Sequence, residues 1–178
     1  MTLRAYLAGL DVFLPNAVDV GAAKSRVCSE HGIAGVFPLD GDLDFAALMK
    51  LAPADQAFEV FRACIVHMDS CDIAVANLTP FRGVSMDVGT AVEIGYMHGQ
   101  GKPVFGYTGT TVSFGDRVEA DGLMVEPFGL VDNLMVEGPV RSSGAHVLRS
   151  DAPPEHALEA MDAFEACILH VVEVMATP

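Results

Sequence analysis

Glu93 is the residue whose surroundings set it apart chemically. It lies in Asp87-Val-Gly-Thr-Ala-Val-Glu-Ile-Gly-Tyr-Met97, where Thr90 and Glu93 are the polar exceptions in a small and apolar run. A helix this apolar is expected to be buried on most faces. An ionised carboxylate within it costs several kcal/mol, roughly, unless it is paired or opens onto a cavity. Two readings follow. Either Glu93 occupies the one solvated stripe of the helix, or it is a catalytic carboxylate. Asp87 has the position and side chain of an N-cap.

Two further acidic groups stand next to strand-like runs. Asp69 and Asp72 precede residues 73–78, and Asp40, Asp42 and Asp44 follow residues 35–37. Each alone reads as turn or cap chemistry. Gathered at one sheet edge, such carboxylates suit glycosidic chemistry: one attacks or stabilises the anomeric carbon while an acid protonates the leaving group.

Other chemistries lack their signatures. The first strand-like run ends in Gly9-Leu-Asp-Val-Phe13, which is no GxGxxG, and the chain has no Walker loop and no GxSxG. The four cysteines form no CxxC pair, and no histidine pair has ligand spacing, so no metal site is expected. Cys28, Cys64 and Cys167 fall in helical stretches, as free thiols of a reducing cytoplasm do. With 10 Lys and Arg against 24 Asp and Glu, the net charge of −14 argues against nucleic acid and for a neutral or cationic small molecule. Arg4 and Asp11 interrupt the N-terminal apolar run, so no signal peptide is expected, and no segment is long enough to span a bilayer.

The elements that must position these residues alternate. Strands are expected at Leu3–Ala8, 35–37, 73–78, 103–107 and 123–125. Helices are expected at 17–31, Pro53–Asp69, 87–100 and 155–175. Residues 108–122 and 126–150 read as loops with short pieces of structure. The 178 residues are expected to form one α/β domain, 1–178, around a parallel sheet of about five strands with helices on both faces. Ligands then bind beyond the carboxyl ends of the strands, at residues 9–16, 38–44, 77–87 and 108–113.

Four segments in this order resemble the nucleoside 2-deoxyribosyltransferase family. They are Tyr6-Leu-Ala-Gly-Leu-Asp-Val-Phe13, Phe37-Pro-Leu-Asp40, Cys71-Asp-Ile-Ala-Val-Ala-Asn-Leu-Thr-Pro80 and Asp87-Val-Gly-Thr-Ala-Val-Glu-Ile-Gly-Tyr96. The resemblance resumes at Val131-Asp-Asn133, and the Asp-x-Gly-x-x-x-Glu-x-Gly block is its most specific part. It implies a flavodoxin-like, doubly wound sheet and a double displacement without a cofactor. Glu93 attacks C1′ of a deoxynucleoside, the base leaves, and a second base takes the sugar from the deoxyribosyl ester, with overall retention.

The resemblance also implies roles for single residues. Tyr6 orients Glu93, Asp87 holds a sugar hydroxyl, and Asp72 helps protonate the departing base. Phe13 borders the base, Asp42 reads it, and Gly9 lines the substrate site. Asn133 completes the site of a neighbouring subunit, which implies at least a homodimer. The partners are a deoxynucleoside and a free nucleobase.

Residues 79–86 and 108–126 depart from the family pattern and leave purine against pyrimidine preference open. The nearest rival is a hydrolase of the same fold, acting on nucleosides or on deoxynucleoside 5′-monophosphates. Asp11 in the first loop, the single Ser85 before the catalytic helix and the net charge count against a phosphate. A non-catalytic nucleoside-binding module is the reading from a different class.

Overall fold

The computed structural model describes residues 2–41, 45–153 and 156–176. Strand β1 (Leu3–Ala8) runs into a 3-10 turn (Leu10–Phe13). Helix α1 (Ala17–Glu30), strand β2 (Ile33–Val36), the short α2 (Phe45–Leu48) and α3 (Pro53–Asp69) follow. Next come β3 (Ile73–Asn77), α4 (Val88–Gly99), β4 (Val104–Thr108), α5 (Phe114–Arg117), α6 (Leu134–Ser142), β5 (Leu148–Arg149) and α7 (Met161–Met175). All four strand pairings are parallel and the order is β2-β1-β3-β4-β5. This is the flavodoxin-like order.

The strand sequences explain their places. Every residue of β3 (IAVAN) and β4 (VFGYT) is buried, as continuous apolar runs are when both faces of a parallel sheet are covered. Helices α1 and α7 pack together on one side, and α4 and α6 pack together on the other. Helix α3 begins with Pro53 at its first turn, where the missing N–H costs nothing. Helix α4 begins at Asp87, whose Oδ2 accepts from the Thr90 N–H at 3.0 Å.

The end of β1 is held by a buried ion pair. Lys24 Nζ on α1 lies 2.7 Å from Asp11 Oδ1 and donates to the Tyr107 hydroxyl at 2.7 Å. The same ammonium sits 5.0 Å above the Tyr107 ring and 5.2 Å above that of Phe164. Burial pulls Lys24 below its ordinary pKa, and the Asp11 carboxylate opposes that pull. Asp11 therefore points into the core and Val12 and Phe13, its neighbours, face outward over the sheet end. Gly9 is required by proximity: a Cβ there would stand 2.7 Å from Cβ of Asn77 on β3.

Three expectations need correction. The fifth strand is Leu148–Arg149, not 123–125; Leu123 and Met124 are exposed, and nothing pairs with them in the sheet. Helix α6 lies in a stretch read as loop, because Gly138 and Pro139 disguise it; Asn133 caps it through an Oδ1 that accepts from the Met135 N–H at 3.0 Å. The last helix begins at Met161, since residues 156–159 form a turn and Ala160 takes a left-handed conformation before it. Among the described residues, no helix is long and apolar enough to cross a membrane.

Candidate active site

A cavity of about 170 Å³ opens at the carboxyl ends of β1 and β2 and is bounded by the start of α4. This is the topological switch point, where neighbouring strands β1 and β3 send the chain in opposite directions, β1 to β2 on one side and β3 to β4 on the other. Val12, Phe13, Pro38, Leu39 and Val60 supply apolar walls. The polar groups facing them are Asp87, Glu93 and Cys64. Gly9 and Gly89 also line it, and the missing side chains leave room for a ligand against the backbone.

Glu93 sits in the second turn of α4, and its Oε1 accepts from the Tyr6 hydroxyl at 2.6 Å. Tyr6 is fully buried in the middle of β1, so the phenol is a fixed donor beneath the carboxylate. No other described residue hydrogen-bonds Glu93, which leaves Oε2 available to a ligand. Burial pushes the Glu93 pKa up to about 7; the Tyr6 hydrogen bond lowers it and the nearby Asp87 charge raises it. Burial, then the Glu93 charge, raises the Tyr6 phenol far above its ordinary value, so it stays a donor. A partly desolvated carboxylate with one free oxygen, at the floor of an apolar cavity, is equipped to attack an electrophilic carbon.

Asp87 shares this cavity while capping α4. Both of its hydrogen bonds to Thr90 run through Oδ2, leaving Oδ1 without a partner among the described residues. Phe13 is half exposed at the rim and stacks on Phe81, with ring centroids 5.2 Å apart and planes 12° from parallel. The Arg82 guanidinium lies 4.6 Å above the Phe81 ring and 5.4 Å above that of Phe13. Arg82 has φ of 55°, a left-handed conformation that non-glycine residues rarely adopt.

Tyr6, Gly9, Phe13, Asp87 and Glu93 are thus brought together, and two expected residues are not. Asp72 lies just before β3, at the amino end of the sheet. Its Oδ2 accepts from the Arg4 N–H at 2.8 Å and its side chain is exposed. A strand places its two ends on opposite edges of the sheet, so a residue preceding β3 cannot line a cavity at the carboxyl edge. Asn133 is outside this chain's own cavity: besides capping α6, it donates to Glu126 Oε1 at 2.7 Å. Asp42 lies outside the described residues.

Cys64, Val60, Phe81 and Arg82 are site residues that sequence reasoning missed. Val60 and Cys64, one helical turn apart, belong to the apolar stripe that marks α3 as amphipathic; the stripe alone did not show that part of it faces a cavity. Among the described residues, no group of three or more His, Cys, Asp or Glu side chains is placed to hold a metal ion.

The chain is similar to known proteins in sequence and in fold. Residues 5–135 match the family model for nucleoside 2-deoxyribosyltransferase. The chain is 34% identical to an uncharacterized protein of Schizosaccharomyces pombe, the match covering 80% of this chain and 79% of that one. Among solved structures it resembles a 2-deoxyribosyltransferase from Leishmania mexicana, with 27% identity, a TM-score of 0.64, and 92% of this chain and 97% of the other covered. A 2-deoxyribosyltransferase from Bacillus psychrosaccharolyticus shares the fold at 20% identity and a TM-score of 0.50, over 77% of this chain and 82% of that one. With the family model matched over residues 5–135, most of the chain, the protein belongs to the nucleoside 2-deoxyribosyltransferase family.

Proposed function

We propose that this protein transfers 2-deoxyribose between nucleobases by double displacement at Glu93. The observation that carries the reading is the Tyr6–Glu93 hydrogen bond, which holds a carboxylate of raised pKa at the floor of the cavity. Glu93 Oε2 attacks C1′ as the C1′–N bond breaks, and the bond's electron pair leaves on the base nitrogen, which takes up a proton. The deoxyribosyl ester is then attacked at C1′ by the nitrogen of a second base. That base loses its proton, and the ester oxygen departs as the Glu93 carboxylate. Asp87 holds a sugar hydroxyl, Phe13 borders the base, and Asp42 reads it. Asp72 takes no part.

The working unit is proposed to be a homo-oligomer in which a second copy's Asn133 completes the site. In support, the outer faces of two helices beside the cavity are apolar and uncovered. Val88 and Val92 on α4 are 81% and 69% exposed, and Phe58 and Phe61 on α3 are both more than half exposed. The four free cysteines suit a cytoplasmic location.

One observation favours hydrolysis of a 5′-monophosphate as a second reading. Asp11 does not face the cavity but is buried against Lys24, so the first loop offers no charge to repel a phosphate. Incubating the protein with deoxyinosine, with and without adenine or cytosine, separates the readings. Transfer yields a new deoxynucleoside only when a base is added. Free deoxyribose at equal rates in both arms, or release only from deoxyinosine 5′-monophosphate, contradicts it.

A further inference from the structure

Burial alone does not hold the Phe13 ring at the cavity rim. Phe13 is 51% exposed and rests on Phe81, with ring centroids 5.2 Å apart. Each ring stands two residues after a buried polar side chain, Phe13 after Asp11 and Phe81 after Thr79. The two anchors belong to one network at the carboxyl edge of the sheet. Lys24 Nζ donates to Asp11 Oδ1 and to the Tyr107 hydroxyl, both at 2.7 Å. Asn77 Nδ2 donates to both Asp11 oxygens at 3.4 Å. Asn77 Oδ1 accepts from the Thr79 N–H at 3.1 Å and from the Thr79 hydroxyl at 2.6 Å. Thr79 Oγ1 accepts in turn from the Gly109 N–H at 3.0 Å. Lys24, Asp11, Asn77 and Thr79 are each at most 3% exposed.

A buried ion pair is a poor way to gain stability, since apolar residues of similar volume hold a core at least as well. What the charges add here is direction. Lys24 draws the Asp11 carboxylate inward, and that sets the turn Leu10–Phe13 in one position over the end of β1. Neither Lys24 nor Asp11 lines the cavity, whereas Phe13 does. We propose that Lys24 is a positioning residue for the substrate's base: through Asp11 it fixes Phe13 at the cavity rim, while the Asn77–Thr79 branch of the same network fixes Phe81, the ring on which Phe13 rests. The inference rests on the reading of Phe13 as the residue that borders the base.

The test uses the full chain with para-fluorophenylalanine in place of Phe13. Its fluorine resonance is recorded alone and during titration with hypoxanthine, and base release from deoxyinosine is measured on unlabelled protein. Hypoxanthine should shift the resonance of the otherwise wild-type chain. Lys24→Met leaves the Asp11 carboxylate buried without a cation, so it should turn to solvent and take Phe13 with it. The resonance should then move or split. The hypoxanthine Kd and the deoxyinosine KM should rise roughly three- to tenfold, as for loss of an aromatic contact. The kcat should stay within about twofold, because Tyr6 and Glu93 are untouched. Adding Asp11→Leu to Lys24→Met returns an uncharged side chain to the core and should restore the resonance, Kd and KM. Thr79→Val keeps the side-chain volume and breaks the other branch, so it should move the resonance and raise Kd in the same sense. Should Lys24→Met fail to fold, the readings on Thr79→Val decide. A resonance that ignores hypoxanthine, an unmoved resonance in either variant, a moved resonance with unchanged Kd, or no restoration by Asp11→Leu overturns the proposal. Resonance and Kd are read without turnover, so absence of base release from the wild type counts against the transferase reading alone.

Discussion

The Tyr6 hydroxyl donates a 2.6 Å hydrogen bond to Oε1 of Glu93, joining the middle of the first strand to a helix 87 residues further along the chain. This bond lowers the Glu93 pKa against the larger effect of burial. Tyr6→Phe should therefore move the acidic limb of the kcat/KM profile to higher pH. It should also cost roughly ten- to a hundredfold in kcat/KM at neutral pH, as for a hydrogen bond to a charged group. A pH–rate profile of the variant checks this, and an unmoved limb contradicts it.

Glu93 should also cost the fold stability. Its folded pKa of about 7 lies above the ordinary value of 4.5. As pH rises between these values the unfolded chain loses its proton first, so stability falls through that window and is level above it. The gap corresponds to roughly 3 kcal/mol. Glu93→Gln keeps an acceptor for Tyr6 and carries no charge, so it should unfold at higher denaturant than wild type at pH 8 and match it at pH 4. Urea melts at the two pH values measure this, and equal midpoints at pH 8 contradict it.

Asp87 has two separable tasks. Its Oδ2 caps α4, and its Oδ1, which has no partner among the described residues, is proposed to hold the sugar. Asp87→Ala should lose about 1 kcal/mol of stability, while Asp87→Ser retains a capping oxygen and most of that stability. Both variants should lose at least about tenfold in kcat/KM, since neither supplies a carboxylate to a sugar hydroxyl. Melts and kinetics on the pair check this; recovery of activity by serine contradicts it.

Asp72 makes the opposite prediction. Its side chain is exposed at the amino edge of the sheet and bonds the Arg4 N–H, which an asparagine oxygen can also do. Asp72→Asn should leave turnover within about twofold of wild type and stability within about 0.5 kcal/mol. A loss comparable to that of Tyr6→Phe in the same deoxyinosine assay contradicts the placement.

Much of the fold was legible because its central elements are locally unambiguous. Helix Pro53–Asp69 matches its expected bounds, and the apolar runs of β1, β3 and β4 read as buried parallel strands. Two features were hidden by local chemistry. Gly138 and Pro139 masked α6, and β5 has just two residues, too few to show a period. Glu93 was legible as a charge in an apolar helix, and Tyr6, Asp87 and Phe13 through the resemblance around it. Asp72 misled because acidity carries no information about which edge of the sheet a residue joins. Cys64 was passed over because a half-apolar thiol on an amphipathic helix looks the same whether it faces core or cavity. Asp11 read as a charge in the first loop because its partner, Lys24, lies on another element.

The central claim is that Glu93 bonds covalently to the sugar. Its most direct test is an acid quench of the enzyme during turnover of deoxyinosine without an acceptor base, followed by digestion and mass spectrometry. The account predicts a peptide containing Glu93 that is heavier by one deoxyribosyl group, fading when adenine is added before the quench and absent from Glu93→Gln. A deoxyribosyl group on any other residue, or undiminished base release by Glu93→Gln, would contradict it.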